Sequence, residues 1–142
     1  MHHIVYTSSV VGTASEGELK DILLKSRTKN AEHHITGMLL LSGNQWMQVL
    51  EGNQEDVAAI FGAIERDPRH TNVCKLADGQ IAQRVFSEWS MGFATASPDE
   101  FERLIGYFNP SGADFLVESA AQPKDEVFGL LKEFCLEREE LF

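Results

Sequence analysis

Tyr6 lies in the short run Ile4-Val5-Tyr6-Thr7-Ser8, and Gln48 lies in Trp46-Met47-Gln48-Val49-Leu50-Glu51-Gly52, so a phenol and a carboxamide each sit inside an apolar stretch. Burying either group without a hydrogen-bond partner costs roughly 1–3 kcal/mol. Each should therefore face a partner. A tyrosine is a modest electron donor and a proton donor of pKa about 10, whereas a glutamine amide both donates and accepts. A Tyr–Gln pair in contact can relay a proton and then change its own hydrogen-bond pattern. Asn30 offers a second amide, and Trp89-Ser90-Met91 offers an aromatic ring and a thioether two positions apart. Taken one at a time these residues have ordinary readings too: Tyr6 a core tyrosine, Gln48 an edge-strand amide facing water, Asn30 a helix cap, Trp89 and Met91 core residues.

The surrounding sequence supplies the elements that would position them. Ile4 to Ser8 reads as a strand, and strand parity puts Ile4, Tyr6 and Ser8 on one face. Gly12 breaks the pattern, Ser15-Glu16-Gly17-Glu18 reads as a capping box, and Leu19, Ile22 and Leu23 recur at helical spacing up to about Asn30. Ile35 to Leu41 and Gln45 to Leu50 read as strands joined by Ser42-Gly43-Asn44, a connection suited to an antiparallel hairpin, with Trp46, Gln48 and Leu50 on one face. Asn53 is a predicted N-cap, followed by Val57, Ile60, Phe61 and Ile64 on one helical face until Asp67-Pro68. Val73 to Leu76 and Val85 to Phe93 are the last predicted strands, and on the latter Trp89 and Met91 share parity, so both can point at one site. The order β-α-β-β-α-β-β gives an α+β, ferredoxin-like sandwich with an added strand, two helices covering one sheet face. Ser97-Pro98-Asp99-Glu100 starts a further helix carrying Phe101, Leu104, Ile105 and Phe108, and another runs from about Pro123 to about Glu140. These tail helices are expected on the other face.

Composition narrows the classes. A chain of 142 residues with 43% hydrophobic and 24% charged side chains fits one globular domain, and no apolar run approaches the length of about 18 residues that a membrane span needs. Without a basic start followed by an apolar signal core, a cytoplasmic address is expected. The net charge of −10 opposes nucleic acid and the anionic inner leaflet, which removes both from the expected partners. Residues 96–142 carry four basic and eleven acidic side chains, so the tail reads as a separate acidic surface. Cys74 and Cys135 are expected to be reduced packing residues. The adjacent pairs His2-His3 and His33-His34 point to opposite sides of a strand and define no metal site. The glycines form neither a GxGxxG nor a Walker pattern.

Tyr6, Asn30, Ile35-Thr36-Gly37, Gln48, Leu50-Glu51-Gly52 and Trp89-Ser90-Met91, in this order, resemble the BLUF family of blue-light sensors, over about residues 3–94. The resemblance implies that FAD is held non-covalently and that Tyr6 and Gln48 are its photoactive pair, with Trp89 or Met91 near Gln48. It implies that Asn30 bonds the pyrimidine edge of the ring and that Ile22 and Ile64 sandwich it, with Ser26 beside it. Arg69 and His70 match basic positions near the ribityl and phosphate region, and Lys29 is a further candidate counter-charge. One departure stands out: family members usually carry Phe where this chain has Trp46, a larger and more oxidisable ring that could compete with Tyr6 as electron donor.

By the same resemblance, residues 1–95 form a photosensor domain and residues 96–142 a helical extension for output or oligomerisation. A short sensor of this kind is expected to be no enzyme itself and to act as a homo-oligomer or through a separate effector protein. Two other readings fit the frame. A small acylphosphatase-type hydrolase would need an arginine in its first loop, and Thr7 to Ser15 has none. A colourless ferredoxin-like dimerisation or ligand-binding module would take up no flavin.

Overall fold

The computed structural model describes residues 1–10, 16–87, 89–106 and 133. Its elements are β1 (His2–Val10), α1 (Glu16–Glu32), β2 (Thr36–Ser42), β3 (Gln45–Gly52), α2 (Gln54–Arg66), β4 (His70–Gln80), β5 (Gly92–Thr95) and α3 (Pro98–Gly106). The five strands form one sheet in the order β4-β1-β3-β2-β5, antiparallel except for the β2–β5 pair. This is the ferredoxin-like arrangement with an added strand. The expected helix over about Pro123 to Glu140, the capping serine Ser15 and Cys135 lie outside the described residues apart from Glu133.

β1 and β3 occupy the middle of the sheet and are buried along almost their whole length, so apolar residues serve both faces. On one face Ile4, Tyr6, Leu39 and Leu50 pack with Leu23 of α1 and with Val57, Ile60 and Phe61 of α2. On the other, Val5, Met38, Leu40 and Val49 pack against Phe101 and Leu104 of α3. Each fully buried side chain of this size contributes about 1.5–3 kcal/mol, so the two helical layers fix the sheet from both sides. Gly37 lets β2 and β3 approach closely, since a Cβ there would stand 1.8 Å from the Val49 carbonyl oxygen.

Local signals set the helix ends. Ser97 and Glu100 form a reciprocal capping box on α3, Glu100 N–H donating to Ser97 Oγ at 3.2 Å and Ser97 N–H to Glu100 Oε1 at 3.0 Å. Asn53 stands at the N-cap of α2 but makes no side-chain cap bond; Glu55 and Asp56 in the first turn supply the favourable negative charge instead. α1 closes when Ile35 N–H donates to the Asn30 carbonyl at 2.7 Å, with His34 left-handed at φ 55°. That closure seats Asn30 at the helix end, from which its side chain reaches across to the segment before β5.

The last two strands differ from the sequence expectation. β4 extends over eleven residues, because pairing with β1 along its whole length outweighs its polar composition. Of the run expected as a strand from Val85 to Phe93, Gly92 and Phe93 belong to β5, and none of the described residues before them is in a strand. The reason is local: Val85 and Phe86 give their backbone N–H groups to the Glu51 carboxylate, so these donors are withdrawn from any ladder. Cys74 is exposed on β4 and is not a packing residue. Among the described residues no helix is long and apolar enough to cross a membrane.

Candidate functional site

Tyr6 and Gln48 are direct cross-strand partners in the β1–β3 register, which is why parity alone could bring them together. Tyr6 is 1% exposed and Gln48 8% exposed, and the phenol donates a hydrogen bond to Gln48 Oε1. Burial pushes the Tyr6 phenol well above its ordinary pKa, so the proton stays on the oxygen at neutral pH. The ring of Phe61 meets Tyr6 edge-on at 5.4 Å and holds it in place. The other end of the amide, Gln48 Nε2, lies 3.4 Å from Met91 Sδ, a weak acceptor.

Trp89 and Met91 do not point at the same site. Both precede β5 in an irregular segment, so strand parity does not apply to them. Met91 belongs to the cluster around Tyr6, whereas Trp89 packs against the cluster of the opposite face, its ring 5.8 Å from that of Phe86. The segment thus crosses from one side of the sheet to the other. Its three carbonyls are individually held: Gly37 N–H donates to Trp89 O at 3.1 Å, Asn30 Nδ2 to Ser90 O at 2.8 Å, and Arg27 Nε to Met91 O at 3.0 Å. Nothing in the sequence singles out Arg27, since a basic residue in an exposed-looking helix carries no pattern. Glu51, buried to 1% exposure, does carry a signal, an acid within an apolar strand.

The remaining predicted residues surround this group unequally. Ile22 and Ile64 are partly buried against the Tyr6 cluster from α1 and α2 respectively, and Ser26 is half-buried one turn along from Ile22. Lys29 is exposed in the last turn of α1. Arg69 is paired with Asp67, Nη2 to Oδ2 at 2.7 Å, and the Arg69 hydrogen bonds lower the Asp67 pKa to about 2. His70 is half-buried, with Nδ1 2.9 Å from Ser8 Oγ and its ring edge-on to Trp46 at 5.2 Å. Burial pushes the His70 pKa down, which favours the neutral imidazole. Among the described residues no cluster of His, Cys, Asp and Glu could hold a metal ion. A hollow of about 770 Å³ lies elsewhere, between the β2–β3 turn and α3, and includes none of the predicted site residues.

The chain belongs to the BLUF family, described as sensors of blue light using FAD, which matches residues 1–92. It is 32% identical over 108 residues to the photoactivated adenylate cyclase subunit beta of Euglena gracilis, and 30% identical over 88 residues to the blue light- and temperature-regulated antirepressor BluF of Escherichia coli (strain K12). These matches cover 75% and 62% of this chain but only 12% and 22% of the relatives, so the chain spans a small part of their length. Among solved structures, the BlsA ground state superposes with a TM-score of 0.69 at 26% identity, covering 95% of this chain and 87% of that one. The dark state of BlrB, a BLUF protein, gives 0.67 at 26% identity and covers 96% of each chain.

Proposed function

We propose that this chain binds FAD non-covalently and works as a blue-light photoreceptor whose switch is the Tyr6–Gln48–Met91 group. The observation that carries this reading is the Gln48 amide, held at one end by a buried phenol and at the other by a thioether. The surroundings suit a planar ring with apolar faces and polar edges. Ile22 and Ile64 leave part of their apolar surface open on two different helices, while Asn30 and Gln48 supply amides that can both donate and accept. Ser26 would lie beside the ring. Arg69, His70 and Lys29 are the basic groups nearest in role to a diphosphate, although Arg69 would have to exchange Asp67 for it.

When bound, the flavin supplies absorption of blue light and an electron-accepting excited state. Tyr6 would give up an electron and direct its phenolic proton at Gln48 Oε1, and would recover both at the end of the cycle, so that no residue is left oxidised. A protonated, rotated or tautomerised carboxamide no longer presents the same acceptor to the phenol, so its hydrogen-bond pattern changes without net chemistry. Gln48 Nε2 then leaves Met91 Sδ, and the segment held by Asn30 and Arg27 can readjust. Trp89, at the far end of that segment, would pass the change to the α3 face and on to a protein partner or a second copy. Cytoplasmic placement fits the reading.

Light-minus-dark absorption of wild type and Tyr6→Phe tests it. Wild type is expected to be yellow and to show a small reversible red shift, small because only hydrogen bonds change. Tyr6→Phe should keep the flavin and lose the shift. A colourless protein that takes up no flavin would support the binding-module reading instead.

A further inference from the structure

Glu51 is a buried charge that the photochemical steps leave unused. Its carboxylate turns to the segment leading toward Trp89, where Oε2 accepts from Val85 N–H at 2.8 Å and Oε1 from Phe86 N–H at 3.0 Å. Thr36 Oγ1 donates to Oε1 at 2.9 Å. Arg84 Nη1 completes the network by donating to the Glu51 carbonyl at 3.0 Å and to Thr36 Oγ1 at 2.9 Å. The guanidinium therefore reaches the carboxylate through an intermediary hydroxyl. A buried acid held in this way is stable only while residues 84–86 stay in place, because each lost donor leaves a desolvated charge short of a partner. Ordinary strand pairing would have satisfied the same two N–H groups without burying a charge.

The next residues along the chain give so costly a fastening its use. Phe86 is wholly buried on the α3 face, and its carbonyl accepts from Trp89 N–H at 3.0 Å. Trp89, Ser90 and Met91 are then bonded in turn to Gly37, Asn30 and Arg27, and Met91 Sδ ends 3.4 Å from Gln48 Nε2. A continuous series of bonds thus leaves β3 at Glu51 and returns to β3 at Gln48. We infer that Glu51 is a positioning residue: it fixes the base of this segment so that a change at Gln48 is transmitted to Phe86 and Trp89 and is not absorbed by a slack loop. The inference rests on the photoreceptor reading.

The test uses the full chain, with Glu51→Gln and the milder Thr36→Val. Two quantities are read: the dark-recovery time of the red-shifted state, and amide hydrogen exchange at Val85 and Phe86, which needs no flavin. Glu51→Gln presents an amide N–H to one backbone N–H, so exchange at these two positions should rise about tenfold, with flavin uptake kept and recovery altered about threefold or more. Thr36→Val should shift both quantities in the same direction by less. Lower thermal stability with wild-type recovery would overturn the inference, as would wild-type exchange at both amides. If Glu51→Gln does not fold, wild-type behaviour of Thr36→Val overturns it. A wild-type chain that shows no light-induced shift sinks the photoreceptor reading itself, an outcome distinct from a Glu51 variant that behaves like wild type.

Discussion

At the scale of single residues, an aromatic ring in an unusual place is the sharpest feature. Trp46 is buried on the same face of β3 as Gln48, two positions away, with His70 against its edge. An indole is easier to oxidise than a phenyl ring, so under the proposed photochemistry it would divert the electron vacancy from Tyr6. Trp46→Phe is expected to raise the yield of the red-shifted state; transient absorption checks this, and unchanged kinetics would remove Trp46 as a competing donor. The meeting of Tyr6 and Gln48 is legible in the sequence because side-chain direction alternates strictly along a strand. The division between Trp89 and Met91 is not, because that alternation fails in a stretch that is not a strand. Glu51 is visible as an acid in an apolar run, but only the fold shows which backbone donors it captures.

At the scale of elements, the turn from α2 into β4 is fastened by charge. Asp67 closes the helix, its N–H donating to the Ile64 carbonyl at 3.1 Å, and its carboxylate binds Arg69. Arg69 lowers the Asp67 pKa from 3.8 to about 2, so folding gains from this carboxylate above pH 3.8 and loses that gain as pH falls toward 2. Asp67→Asn should therefore remove part of the stability difference between pH 5 and pH 2, seen as a flatter dependence of the thermal midpoint on pH. The effect is expected to be small, since Arg69 is exposed and solvent screens the pair. The helices and the central strands follow from periodicity. β4 is longer than its sequence indicates, as an edge strand facing water on its outer side resembles a loop in composition.

At the scale of the whole molecule, the two helical layers are separated by the sheet, and the segment before β5 contributes buried side chains to both. Gly92, the first residue of β5, lies against the indole that precedes it: a Cβ there would stand 2.4 Å from Trp89 Cε3. Gly92→Ala is expected to cost about 1–3 kcal/mol through overpacking and to change near-ultraviolet circular dichroism as the indole is pushed from Phe86. An intact near-ultraviolet spectrum with unchanged stability would show that the ring has room to yield. The carbonyls of Trp89 and Ser90 are gripped by different bodies, the first by β2 and the second by α1. Any slide of that helix along that strand must accordingly appear in the φ and ψ of Ser90, the residue joining the two planar peptide units, which makes it a gauge of their relative displacement.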